Sequence, residues 1–388
     1  MESERSYLDY NASAPLRPEA RAAMLAAMDQ VGNASSIHGE GRAMRSLLET
    51  ARRNIATLLG ASPKSVVFTS GATEAANLAL TPTLRDGGAP IEMLIAAAGE
   101  HPCILQGHRF PADRVRLVPL TADGVVDLHA LEAALAEAPG RCLVAIQAAN
   151  NETGIIQPVA EAADLVHARG GLLVCDAVQA AGRIPCNFAA LKADVLLLSA
   201  HKLGGPKGAG ALVFGSERLH IEHPHIRGGG QESGARAGTE NIAAIAGFGV
   251  ATQLAFSQMR IEAARLDLLR SWMEEGLTDV VPDLVIFGAG VKRLPNTSCL
   301  AVPGLSAEVM LIGLDLAGVA ISSGSACSSG KVAASHVLAA MGVDEALARG
   351  ALRVSFGWAT TQAELDRFCE TFQKTVRTMR ARRSKTTA

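Results

Sequence analysis

Short runs of large aliphatic residues, each closed by a polar residue and then glycine, recur along the first two thirds of this chain. In DVLLLSAHKLGGPKGAGALVF the run 195–198 fits a strand covered on both faces, because four consecutive aliphatics leave no polar side for solvent. It delivers Ser199, His201 and Lys202 into a turn holding Gly204, Gly205, Pro206 and Gly208, and a second apolar run, 211–214, leads away. SVVFTSGATEAANLAL reads the same way: a strand over Val66–Thr69, a turn through Ser70, Gly71, Ala72 and Thr73, and a helix from Glu74. Further strands end at Glu100 and His101, at Asn150, Asn151 and Glu152, and just before Asp176 and Gln179. In a parallel sheet the carboxyl ends of the strands share one edge, which is the edge where ligands bind.

Elsewhere the period lengthens. Pro18 suits the first turn of a helix, and from 242 to about 277 an alanine- and leucine-rich stretch with spaced charges predicts a long helix joining two units. After it the texture changes: LVIFGAG, LPNTSCLAVPG, VAISSGSACSSG and LRVSFGW read as the shorter strands and helices of a smaller α+β unit.

Composition narrows the class. With 388 residues, 48% hydrophobic, the chain can bury a large core, and only 4% aromatic residues suits helices packed closely on a parallel sheet. A net charge of −2 offers no electrostatic case for nucleic acid, and the basic RARRSK stretch reads as a solvated helix end. MESERSYLDY has neither the basic nor the apolar region of a secretory signal, and no uninterrupted apolar run reaches about 18 residues, so a cytoplasmic protein without membrane association is expected. Seven scattered cysteines without a CxxC pair suggest neither a disulfide framework nor a zinc knuckle.

Two stretches carry chemistry. Lys202, at a strand end beside His201, can lose its proton when partly desolvated and form a Schiff base with an aldehyde; the alternative is a solvated lysine in a glycine loop. The 70–73 turn aims backbone N–H groups and the Thr73 hydroxyl at one point, a favourable place for phosphate, though Thr73 could equally be a plain helix cap. There is no GxxxxGK[ST] nucleotide loop. His220, His223 and His225 have no carboxylate or cysteine placed with them and read as a surface cluster rather than a metal site.

Together YLDYNAS, FTSGATEAAN, EHPCIL, NNETGIIQPV, DAVQ, SAHKLGGPKG, RAGTEN, SSGSACSSG and LRVSFG resemble the cysteine desulfurases of the NifS/IscS type, in the class V branch of fold-type I pyridoxal phosphate (PLP) enzymes. The resemblance spans nearly the whole chain. It implies an α/β fold with a large PLP-binding domain over 16–255, built on a mainly parallel seven-stranded sheet. A smaller α+β domain, 1–15 and 256–388, would carry the active-site cysteine loop. It implies a homodimer that converts L-cysteine to L-alanine, leaves the sulfur as an enzyme persulfide, and supplies it to iron–sulfur cluster assembly or other acceptors.

Carried over residue by residue, Lys202 resembles the lysine that binds PLP covalently, Asp176 the partner of the pyridine nitrogen, Gln179 the donor to the ring hydroxyl, and His101 the imidazole over the ring and an acid–base partner. Ala72, Thr73, Ser199 and His201 resemble phosphate ligands, and Thr239 the phosphate ligand given by the neighbouring subunit. Asn151 and Arg353 resemble the pair holding the substrate carboxylate, with Asn151 also facing the cofactor.

Cys327, in SSGSACSSG, occupies the nucleophile position on a small-residue stretch able to carry a thiol between cofactor and acceptor. No metal is implied in the free enzyme, although Cys327 could transiently ligate an iron–sulfur centre shared with a scaffold protein. NASAP and GNASS depart from the commoner wording of the family, and the longer acceptor-binding tail of IscS-type members has no counterpart here, leaving the acceptor open. Rival readings are a selenocysteine lyase or another class V reaction, which need no cysteine on a glycine loop, and a catalytically silent sulfur carrier, which would be colourless where PLP-bound protein is yellow.

Overall fold

A computed structural model describes residues 5–323 and 334–386, with side chains to 382; Cys327 lies outside the described residues. Seven strands form the main sheet in the spatial order Val66–Thr69, Gly210–Phe214, Val195–Ser199, Leu172–Asp176, Arg141–Gln147, Ile91–Ala97, Val115–Val118. All run parallel except Gly210–Phe214, which is antiparallel to both neighbours. Alternate side chains of each central strand enter different cores: Leu196 and Leu198 pack on one face, Val195 and Leu197 on the other. Burial on both faces is why these strands read as unbroken aliphatic runs rather than alternating ones.

The 39-residue helix Ile242–Val280 spans two cores. Ala244, Ile245, Phe248 and Ala255 belong to the core on the main sheet, whereas Leu266, Met273 and Leu277 pack with Leu8, Leu300, Val354, Phe368 and Phe372. By length and composition alone this helix could cross a membrane, but many of its apolar side chains serve those two cores. The second unit has a four-stranded antiparallel sheet ordered Val285–Ile286, Thr297–Ala301, Leu352–Ser355, Ser322–Ser323. The chain's first strand, Ser6–Tyr7, pairs in parallel with Val319–Ala320, so the N-terminal segment is anchored to this unit before it passes along the main sheet's edge.

Candidate active site

Five parallel strands end at one edge of the main sheet, and the loops that follow them line a cavity of about 590 Å³. Its walls include Thr73, His101, Asn151, Asp176, Gln179, Ser199, His201, Lys202 and Arg353, with Ala72 beside them, so the structure brings together all the predicted site residues except Thr239 and Cys327. A larger cavity, about 1010 Å³, opens by Pro63, Val66 and Phe214 at the opposite edge of the sheet. Its most buried charges, Arg52 and Glu232, already form a bidentate pair.

The phosphate-facing end is built from the helix Ala72–Ala79, whose N-cap, Gly71, supplies no side-chain cap. Gly210 allows the turn to lie flat on the sheet, since a Cβ there would come within 2.6 Å of the Gly71 Cα. At Gly71 and Gly208 an added Cβ would meet no atom within 4 Å, which leaves open space beside the helix N-terminus. Helix N–H groups, Thr73, Ser199 and His201 therefore converge on a space with the polarity for a phosphate dianion. Glu74, also on the wall, is tied to its neighbours: it accepts from the Ser70 N–H at 2.8 Å and pairs with Arg236 at 3.0 Å.

Asp176 lies at the floor, 9% exposed, with Oδ1 accepting from the Val178 N–H at 2.9 Å. Burial raises its pKa to about 6, against the lowering effect of the Val178 hydrogen bond and of Lys202. It is thus mainly ionised at neutral pH, and a cationic ring nitrogen against it would favour the ionised form further. Glu100, fully buried, accepts from the Gln147 N–H at 2.6 Å, and burial followed by the nearby Asp176 charge holds its pKa well above the carboxylate range.

Lys202 closes the one-turn helix Ala200–Lys202, and its Nζ donates to the carbonyl oxygens of Asn11 and, at 2.9 Å, Ala12. His101 caps the helix Pro102–Leu105: its Nδ1 accepts from the Cys103 N–H at 3.2 Å, and burial, then the Lys202 charge, lowers its pKa to about 4. The ring is therefore neutral with its proton on Nε2. Burial likewise lowers His201 to about 4, and its Nδ1 lies 3.2 Å from the Ser13 hydroxyl. Arg353, 3% exposed, donates from Nη1 to the Asn151 carbonyl at 3.1 Å and from Nη2 to Asp9 at 2.8 Å.

Asp9, Asn11, Ala12 and Ser13 escaped the sequence reading as site residues. Asn11 is buried and donates from Nδ2 to the Asn151 carbonyl at 3.1 Å and to Thr297 Oγ1 at 2.9 Å, so the NASAP wording builds a defined wall. Thr239 is exposed and lines a separate space of about 170 Å³ that shares Ser70 and Gly208 with the main cavity. His225 accepts from Arg109 at 2.6 Å, and no group of residues able to hold a metal occurs among the described residues. Cys142 and Cys175 are buried thiols with raised pKa values, burial being the main cause, which suits inert core residues.

The donor set fits PLP: an anion cradle at a helix N-terminus, a buried carboxylate, an amide, an imidazole and a lysine amine within one cavity. Comparison with known proteins bears this out. Residues 6–368 match the family "Aminotransferase class-V", and the chain belongs to that family of PLP-dependent enzymes. It is 42% identical over 97% of both chains to a cysteine desulfurase of Cereibacter sphaeroides, and 37% identical over 98% of both to an IscS-like cysteine desulfurase of Mycobacterium tuberculosis. The solved NifS-like protein of Rickettsia africae superposes with a TM-score of 0.87 at 35% identity, covering 96% of this chain and 99% of that one. Within the family the chain is a cysteine desulfurase, a sulfurtransferase acting on cysteine.

Proposed function

We propose that this desulfurase removes sulfur from L-cysteine with the residues of the strand-end cavity, leaving L-alanine and a persulfide on Cys327. The observation carrying the reading is the convergence of Lys202, Asp176, Gln179, His101 and Arg353 on one cavity. PLP would be held by Lys202 at its aldehyde, Asp176 at its ring nitrogen, Gln179 at its ring oxygen, and Ala72, Thr73, Ser199 and His201 at its phosphate; when bound it supplies an electron sink for the substrate's α-carbon.

Arg353 and Asn151 orient the substrate carboxylate, with the Asp9 pair fixing one side of the guanidinium. His101 gives a proton from Nε2 and takes one back as the substrate changes charge. The Cys327 thiolate attacks the substrate sulfur. A sulfur–sulfur bond forms as the carbon–sulfur bond breaks, and the electron pair stays with the carbon fragment, which gains protons to leave as alanine.

The enzyme works as a homodimer in this reading, Thr239 of one subunit completing the phosphate site of the other; its exposure and its place outside its own chain's cavity lining support that. Likeness to an IscS-like relative supports an iron–sulfur scaffold as acceptor, where Cys327 would briefly share a cluster, and the free thiols of all six described cysteines suit a reducing cytoplasm. Arg353 gives a direct test. Losing a charge-assisted carboxylate contact costs about 1.5–3 kcal/mol, so Arg353→Lys should lower kcat/KM for cysteine roughly ten- to hundred-fold, chiefly through KM, with PLP content unchanged. Unchanged KM would assign the carboxylate to another cation.

A further inference from the structure

We propose that Arg183 is a positioning residue that sets the polarity of the Gln179 amide, so that Gln179 presents N–H and not C=O to the cavity. This inference rests on the reading that Gln179 meets the cofactor's ring oxygen.

The two residues follow the Leu172–Asp176 strand in a tight turn, where the N–H groups of Ala180 and Ala181 return to the Ala177 carbonyl and those of Arg183 and Ile184 to the Ala180 carbonyl. Four residues apart on such a turn, the side chains of Gln179 and Arg183 meet. Gly182 presses the turn into place: its φ is +71°, and a Cβ there would come within 2.7 Å of Ala255 and 2.8 Å of Leu203. Arg183 Nη1 donates to the Gln179 backbone carbonyl at 3.1 Å and to the Gln179 side-chain Oε1.

An amide side chain can be turned through 180° at little steric cost, so its neighbours decide which end faces where. Here both neighbours impose the same choice. A guanidinium can only donate, so the atom it touches must be the amide oxygen. On the other side Gln179 Nε2 lies 3.1 Å from the Asn11 carbonyl oxygen, which can only accept. The NH₂ group has two hydrogens, and Asn11 takes one. Gln179 is 4% exposed and lines the cavity, which leaves the second hydrogen for a bound acceptor.

A cation on the amide oxygen also polarises the amide, making its N–H a stronger donor to an anionic ring oxygen. Arg183 stays protonated at neutral pH, its pKa lowered only to about 10 by burial and by Arg353. Without Arg183 the amide keeps only the Asn11 constraint, and the flipped orientation would set its C=O against the ring oxygen.

The test is a double-mutant cycle on the full-length holoenzyme, reading the PLP dissociation constant by equilibrium dialysis and the pH midpoint of the bound cofactor's visible band. Arg183→Met should raise the dissociation constant about ten-fold and move the midpoint upward, because a ring oxygen without its donor holds a shared proton more tightly. In a Gln179→Ala background the same change should cost less than about two-fold, and Arg183→Lys should restore part of the loss. Arg183→Gln enters the same cycle if Arg183→Met does not fold. Equal penalties in both backgrounds, or none in either, would overturn the proposal. If Gln179→Ala alone leaves both readouts unchanged, the Gln179 contact fails and the proposal with it; if Gln179→Ala shifts them and Arg183→Met does not, only the proposal fails.

Discussion

Lys202→Ala is expected to give a folded, colourless chain whose turnover of cysteine falls on the order of a thousand-fold or more, the scale seen when a covalent catalytic group is removed. The amine is held in a fixed place at the cavity wall. Its strand is buried on both faces, the one-turn helix after it fixes the side chain's origin, and the Asn11 and Ala12 carbonyls hold the ammonium at the cavity wall. Losing these ammonium–carbonyl bonds costs about 1.5–3 kcal/mol each, too little to unfold a chain with cores on both faces of its main sheet. Absorbance of the purified variant and its circular dichroism check both halves of the expectation. A yellow variant turning over cysteine at the parent rate would remove Lys202 from the site.

The second large effect belongs to Cys327. The described residues that flank its segment, Ser322 before it and Ser335 and His336 after it, contact Arg353 or residues next to the cavity wall. Ser322 pairs with Arg353 in the small sheet, while Ser335 donates to the buried Glu152 and His336 lies 2.8 Å from the Glu100 carbonyl, beside Asn151 and His101. Other thiols are poor substitutes. Cys299 is buried with a raised pKa, and Cys103, though it lines the cavity, is held as a neutral thiol chiefly by burial and then by the Asp176 charge. Cys327→Ser should therefore stay yellow and still change spectrum on binding cysteine, yet form neither persulfide nor sulfide. Full desulfuration by this variant, with mass spectrometry placing persulfide on another cysteine, would overturn the nucleophile assignment and leave the cofactor site standing.

Much of this architecture was legible in the sequence because doubly buried strands leave a simple signature. The runs at 66–69 and 195–198 announced both the strands and the polar residues at their ends, and a shared edge followed from parallel topology. Direction is less visible: periodicity does not distinguish the antiparallel Gly210–Phe214 from its parallel neighbours. The helix after the 66–69 strand begins at Ala72 rather than Glu74, because backbone and not side chain forms its cap. Contacts from backbone carbonyls were invisible, so Asn11 and Ala12 as holders of Lys202 had no residue-type signal. Asp9 was hidden by distance along the chain, 344 residues from its partner Arg353. A signal did exist for Arg183, whose spacing of four from Gln179 just after a strand marks a pair that a helical turn brings together.

The most direct measurement incubates the purified holoenzyme with L-cysteine and a reductant and quantifies alanine and sulfide in the same samples. The residues of the cavity predict one alanine for each sulfide in the steady state, alanine leading by no more than the one persulfide each Cys327 can hold, with both products absent in Lys202→Ala. Sulfide released without equimolar alanine, or cysteine consumed with neither product formed, would contradict the account.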